Sequence, residues 1–252
     1  MILYFTGTGN SLAVARKIAD ATGDRTMPLA EAADQNLDTE KVVGLVYPCY
    51  DFNTPPAVRE LVTRLRISPE AYVFIIITCG AQTGNSIWTV RRLLKRKGVR
   101  VAYCHKIRVP DNSATIFGRN PNDQLWKLKK YAPRLERIID DVKARRRGSH
   151  FGAPGLVGGL LGLPSVERKV LSGFKPSVDS DRCVGCGLCA QVCPVGNIVV
   201  DGKAAIGDRC TVCIGCLHVC PQQAITTGKQ FPKERQYRHP DIQIQDLKHN
   251  KI

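Results

Sequence analysis

Eight of the eleven cysteines stand in two runs. The first, from Cys183, reads C-V-G-C-G-L-C-A-Q-V-C-P; the second, from Cys210, reads C-T-V-C-I-G-C-L-H-V-C-P. Both space their thiols as Cys-x2-Cys-x2-Cys-x3-Cys-Pro. Three thiolates at such intervals can hold three corners of one cubane iron–sulfur cluster. The triplet Asp181-Arg182-Cys183 recurs as Asp208-Arg209-Cys210, displaced by 27 residues, and short apolar segments (Ile198-Val199-Val200 and Ala224-Ile225) follow both prolines. Such a repeat predicts two βαβ-like halves, each too small to bury a core alone. Disulfides and zinc are the competing chemistries. Zinc ribbons usually offer two separated Cys-x2-Cys pairs, without a third cysteine at the same interval and a Cys-Pro after it, so the spacing favours iron–sulfur.

A second stretch able to do chemistry lies near the other end. Thr6-Gly7-Thr8-Gly9-Asn10-Ser11 follows the apolar run 2–5 and opens a helical pattern. Three hydroxyls and successive backbone N–H groups at a helix N-terminus make a dianion site that needs no lysine. No Gly-Lys-Ser/Thr follows, which excludes a Walker A loop, and the glycine spacing is not that of a dinucleotide fingerprint.

The elements that must position these stretches can be read along the chain. Residues 2–5, 25–29, 42–47, 72–77 and 99–109 read as strands, the fourth nearly all apolar, as buried parallel strands are. Helical patterns fill 10–22, 56–65, 86–97 and 122–147, with Pro133 expected to break or kink the last. The region 24–37 is too sparse for a full helix. Alternation of this kind predicts an α/β domain over 1–147: a doubly wound five-stranded parallel sheet of order 2-1-3-4-5. Residues 148–177, rich in glycine and proline, read as a linker. A small α+β domain over 178–228 carries the cysteines, and a polar tail, 229–252, is expected to strap back onto one of the domains.

Two resemblances follow from these motifs. T-G-T-G-N-S resembles the flavodoxin phosphate loop, which binds the 5′-phosphate of FMN, and the cysteine runs resemble those of bacterial two-cluster ferredoxins. The whole chain resembles a flavodoxin–ferredoxin fusion. The ferredoxin likeness implies two 4Fe–4S clusters, one held by Cys183, Cys186, Cys189 and Cys220, the other by Cys210, Cys213, Cys216 and Cys193. The flavodoxin likeness implies an FMN whose phosphate sits on Thr6, Gly7, Thr8, Gly9, Asn10 and Ser11. Its ring would lie between the loops after the third and fourth strands, against Pro48, Tyr50, Phe52 and Asn53 on one side and Thr78, Cys79, Gly80 and Gly84 on the other. Tyr50 is the expected stacking aromatic, with Phe52 in reserve. Asp111-Asn112 would close the outer side. The loop 48–56 departs from flavodoxins, which often place a glycine there.

Among the remaining chemistry-bearing residues, Cys49, Cys79 and Cys104 read as buried small residues; a thiol redox role is the sharper alternative for the first two. His218, inside the second run, reads as a neighbour tuning a cluster rather than as a ligand.

Composition bounds the rest. With 43% hydrophobic and 23% charged residues the chain of 252 can bury an ordinary core. It has no apolar run near the ~18–20 residues of a membrane span. Met1 leads almost directly into the first strand without a basic-then-apolar leader, so a cytoplasmic location is expected, and the clusters suit an anaerobic or low-oxygen host. The formal charge is +15. Two ligated clusters and a phosphate ester would lower it to about +9. Arg91, Arg92, Lys95, Arg96, Lys97, Arg100 and Lys106 fall within sixteen residues that hold no carboxylate. The default for such a run is a solvated face; an acidic redox protein is the expected partner, and nucleic acid the weakest candidate. The leading expectation is an electron carrier that passes electrons between two 4Fe–4S clusters and FMN. An FMN-dependent reductase fed by its clusters is the alternative. The oligomeric state is not legible.

Overall fold

The computed structural model describes residues 1–151, 163–228 and 231–248. The larger region alternates β1 (Ile2–Tyr4), α1 (Asn10–Thr22), β2 (Thr26–Pro28), α2 (Leu29–Ala32), β3 (Asn36–Leu37), β4 (Val42–Pro48), α3 (Pro56–Arg64), β5 (Arg66–Ile67), β6 (Tyr72–Cys79), α4 (Ser86–Arg96), β7 (Val101–Arg108), α5 (Trp126–Lys143) and β8 (Gly148–Ser149). The main sheet runs β2-β1-β4-β6-β7-β8, all pairs parallel. Its first five members, renumbered among themselves, have the order 2-1-3-4-5. Side chains alternate across it. Val73, Ile75 and Ile77 of β6 pack with α2, α3 and α4, while Tyr72, Phe74 and Ile76 pack with α1 and α5.

Three features differ from the sequence reading. A sixth, two-residue strand continues the sheet, because the chain after α5 returns to the β7 edge, where the Tyr72 hydroxyl donates to Arg146 O at 2.7 Å. Pro133 does not break α5, which runs through it; the proline sits on the exposed face, where the carbonyl it leaves unpaired can meet water. The linker contains a helix, α6 (Pro164–Ser172), besides its part at 152–162, which lies outside the described residues. Its Glu167 is buried against Arg59 of α3 at 2.8 Å.

The smaller region comprises β9 (Ser177–Val178), α7 (Leu188–Gln191), the hairpin β10 (Ile198–Asp201) and β11 (Lys203–Ile206), α8 (Gly215–Val219) and β12 (Ile225–Thr226), which pairs with β9. Its interior is a cluster of cysteines with Ile198, Ile214, Leu217, Ala224, Ile225 and Phe231. Val192 and Val219 join the α1/α5 side of the larger core. The tail does strap back: Ile242 and Leu247 enter that same core, and Asp246 pairs with Arg16 of α1 at 2.8 Å. Among the described residues no helix is long and apolar enough to cross a membrane.

Candidate functional site

The strand order reverses between β1 and β4, and ligands of open α/β sheets sit at the carboxyl ends of strands at such a point. The loop after β1 is cinched by Thr6 Oγ1, which accepts the Gly9 N–H at 3.0 Å. Gly9, at φ +94°, turns the chain into α1, and no side chain caps that helix. Its first N–H groups therefore face the loop without an internal competitor. Thr6, Gly7, Thr8, Asn10, Ser11, Pro48, Tyr50, Thr78, Cys79 and Gly80 surround a polar space of about 40 Å³. Ser11 Oγ lies 2.8 Å from Thr78 Oγ1, tying the β1 loop to the end of β6.

This space shares Cys49, Tyr50, Gly80, Asp111 and Asn112 with a larger, mostly apolar cavity of about 330 Å³. Asp51 and Phe52 line it from the larger domain, Val170, Leu171 and Phe174 from α6 and the residues just after it, and Val212 and Ile214 from the second cysteine run. Tyr50 and Asn53 exchange backbone hydrogen bonds at 2.9 and 2.8 Å, closing a two-residue hairpin turn. Asp51 and Phe52 stand at φ +43° and +59°. Positive φ at both central residues is what a type I′ turn demands, so the glycine-free loop takes left-handed geometry on ordinary side chains, at a cost of order 1–3 kcal/mol each. The Tyr50 hydroxyl and Asp51 Oδ2 are buried without a hydrogen-bond partner among the described residues. Burial, and after it the charge of Glu167, raises the Asp51 carboxyl above its ordinary range. A polar pocket at an uncapped helix start, an adjoining apolar slot and two unpartnered polar atoms fit a phosphate ester with a flat ring body.

Three of the residues named for this site do not line either cavity. Gly9 shapes the turn. Asn53 Oδ1 accepts from Thr54 N at 2.8 Å and from Thr89 Oγ1 at 3.0 Å. Gly84 supports the loop from behind: a Cβ there would lie 2.2 Å from Phe52 O. Asn10 lines the small space, yet its amide is held by Pro110 O at 3.0 Å and by the Tyr237 hydroxyl at 2.6 Å. Tyr237 and His239, whose N–H donates to Thr8 O at 2.9 Å, brace the loop from the tail. Burial pushes the thiols of Cys49, Cys79 and Cys104 up, the last two to about 11, which keeps them protonated at neutral pH and suits packing better than thiolate chemistry.

The cysteine runs fold into two neighbouring groups. Cys183, Cys186, Cys189 and Cys220 ring a space of about 20 Å³. Cys186 is exposed, and Val184 beside it is 63% exposed. Backbone N–H groups of Ala204 and Gly185 draw the Cys183 thiol below its ordinary range. In the other group the charges of Cys193 and Cys210 act on Cys213, and those of Cys213, Cys210 and Cys193 on Cys216. Burial is the larger effect there and lifts Cys213 to about 12. Only bound cationic metal would let such buried thiols ionise together. No three His, Cys, Asp or Glu side chains among the described residues converge closely enough for a single ion; the first group frames a space, as ligands of a polynuclear cluster must. Backbone N–H groups reach sulfur in both groups, Ala224 to Cys220 and Asn197 to Cys193, each at 3.3 Å. His218 is buried and neutral, its pKa lowered to about 4 by desolvation. Its Nδ1 accepts from Tyr237 N at 3.0 Å, and Nε2 faces Asn112 O at 3.2 Å. Both ring nitrogens are thus engaged away from sulfur, joining α8 to the tail and to the loop after β7.

The two sites meet at Gly7. A Cβ on Gly7 would lie 2.7 Å from Cys213 O, and one on Gly215 would lie 2.6 Å from Gly7 O. Backbone therefore touches backbone where the phosphate-type loop meets the second cysteine run, and only glycine permits it.

Comparison with known proteins agrees with the cysteine half. Residues 176–199, which contain the first run, match the family described as 4Fe-4S binding domain. A ferredoxin of Thermococcus litoralis is 56% identical over 32 residues, 12% of this chain and 54% of that protein, so the chain spans about half the length of the curated relative it matches. Among solved structures, a putative flavoprotein from Bacteroides uniformis ATCC 8492 is 12% identical, covering 43% of this chain and 88% of its own, with a TM-score of 0.36. The two-electron reduced flavodoxin of Megasphaera elsdenii is 21% identical over 44% of this chain and 88% of its own, also at 0.36. Likenesses that loose carry no argument, and the fold rests on the strand order. On that order and on the matched cysteine motif, the chain joins a flavodoxin-like α/β domain to a ferredoxin-type 4Fe–4S domain.

Proposed function

We propose that the chain is an electron-transfer protein that carries electrons between two 4Fe–4S clusters and FMN and on to a redox partner. The single observation behind this reading is the Gly7–Gly215 contact, which sets the inner cysteine group against the loop suited to a flavin phosphate. Cys183, Cys186, Cys189 and Cys220 would hold the outer cluster, and Cys193, Cys210, Cys213 and Cys216 the inner one. When bound, the clusters supply one-electron steps, and the flavin holds one or two electrons. Each part of the chain then has a task. The β1 loop and the start of α1 bind the phosphate. Tyr50, Phe52 and Gly80 shape the ring slot, and α6 covers it. Exposed Cys186 and Val184 supply an apolar contact at the outer end. Exposed cations of α4 and α5, among them Lys95, Arg96, Lys130 and Arg134, suit an acidic redox protein.

Anaerobic purification followed by iron, sulfide and flavin quantification tests this. About eight iron and one FMN per chain are expected from two four-iron clusters. Four iron, zinc in place of iron, or no flavin after addition of FMN would overturn the corresponding part. A second reading, reduction of a small molecule at the flavin, draws on the larger cavity, which extends past the flavin loops to Phe117 and Phe174 and is lined by the Asp51 carboxyl, raised above its ordinary range by burial. Turnover of an added acceptor by photoreduced protein, faster than by free FMN, would favour it.

A further inference from the structure

We propose that the Tyr50 hydroxyl donates a hydrogen bond to sulfur of the inner cluster, so that one side chain touches both cofactor sites. This rests on the ligand and flavin assignments of the proposed function and adds a cluster contact to a residue expected, from sequence, to stack on a ring. Three observations converge on it. Tyr50 lines both cavities of the flavin-type site. A Cβ built on Gly7 would lie 3.3 Å from Cys213 Cβ and 3.4 Å from the Tyr50 hydroxyl, so the hydroxyl and Cys213 approach the same point. That hydroxyl is buried and has no partner among the described residues, a costly state for a phenol. The ionisable groups whose charge reaches it are Cys213 and Cys210. The turn through Asn53 fixes the Tyr50 backbone, so the hydroxyl is presented by a closed loop rather than by a free side chain.

A donor to cluster sulfur stabilises the reduced, more negative cluster and raises its potential. Tyr50→Phe removes the donor and keeps the ring. In EPR-monitored redox titrations of the holoprotein, the inner cluster should become about tenfold harder to reduce, a fall of about 59 mV for a one-electron couple. The outer cluster, identified by its altered signal in Cys186→Ser, should not move, and iron and flavin contents should stay at wild-type values. A hyperfine coupling to one exchangeable proton, present at the inner cluster of wild type, should vanish in the variant. An unmoved inner potential with full iron content overturns the proposal, as does an equal shift of both clusters. Weakened FMN affinity at unchanged potential also overturns it and gives the hydroxyl to the flavin phosphate instead. Wild-type protein that lacks the second set of four irons fails the proposed function itself, a result seen before any variant is made.

Discussion

The two halves of the molecule fill their interiors with different chemistry. In the larger half the core consists of apolar strand residues, and β6 is buried along its whole length. In the smaller half, five of the eleven buried residues of the core cluster are cysteines. Apolar burial contributes about 25 cal/mol per Å² with or without a cofactor, whereas ligating thiols contribute only when metal is bound. One half should therefore fold on its own sequence, and the other only with its clusters.

Removing iron is the largest perturbation of that contrast. After anaerobic chelation, hydrogen exchange should show protection lost throughout β10, β11, α7 and α8 while β4 and β6 keep theirs. Retained protection in the hairpin would break the comparison. A smaller effect is expected where the halves are joined. Arg59→Leu strips the partner from buried Glu167, which costs about 3 kcal/mol, and should expose α6 to exchange without lowering iron content. Unchanged protection of α6 would mean that its apolar residues alone hold it down. The smallest effect concerns the tail. His239 is buried, and desolvation lowers its pKa to about 4, against about 6.5 when unfolded. Between those values the unfolded chain takes up a proton that the folded one refuses, so stability falls as pH drops through that window. Urea unfolding of His239→Gln between pH 6.5 and 5 should show a flatter pH dependence, by about 1.5 kcal/mol across that interval. An identical slope would place the proton uptake elsewhere, His105 and His218 being the next candidates, since their pKa values are also lowered to about 4.

Much of the fold was legible because its signals are local. The periodicity at 10–22 became α1 over Asn10–Thr22, and the apolar runs became β4 and β6 within two residues. Helix α6 was not read, because the glycine and proline around it outweighed the spacing of Val166, Val170 and Leu171. Within the candidate site, the β1 loop was marked by its hydroxyls and glycines, and the loops after β4 and β6 by the flavodoxin likeness; they converge because the carboxyl ends of strands at a reversal of order do so in any such sheet. Gly84 and Asn53 line neither cavity, because membership of a loop does not say which way a residue faces.

Residue types at fixed short spacing determined two things without help: a chain with thiols suited to iron–sulfur ligation, and a parallel sheet with a turn suited to an anion after its first strand. Both follow from chemistry within a few bonds or one turn of backbone. Tertiary structure alone decided that Gly7 touches Gly215, that the Tyr50 hydroxyl and Cys213 both close on Gly7, that α6 roofs the slot, and that the tail braces the loop through Tyr237 and His239. Those contacts join residues that are more than 100 positions apart in most cases, and they depend on how whole surfaces pack, which no local pattern records.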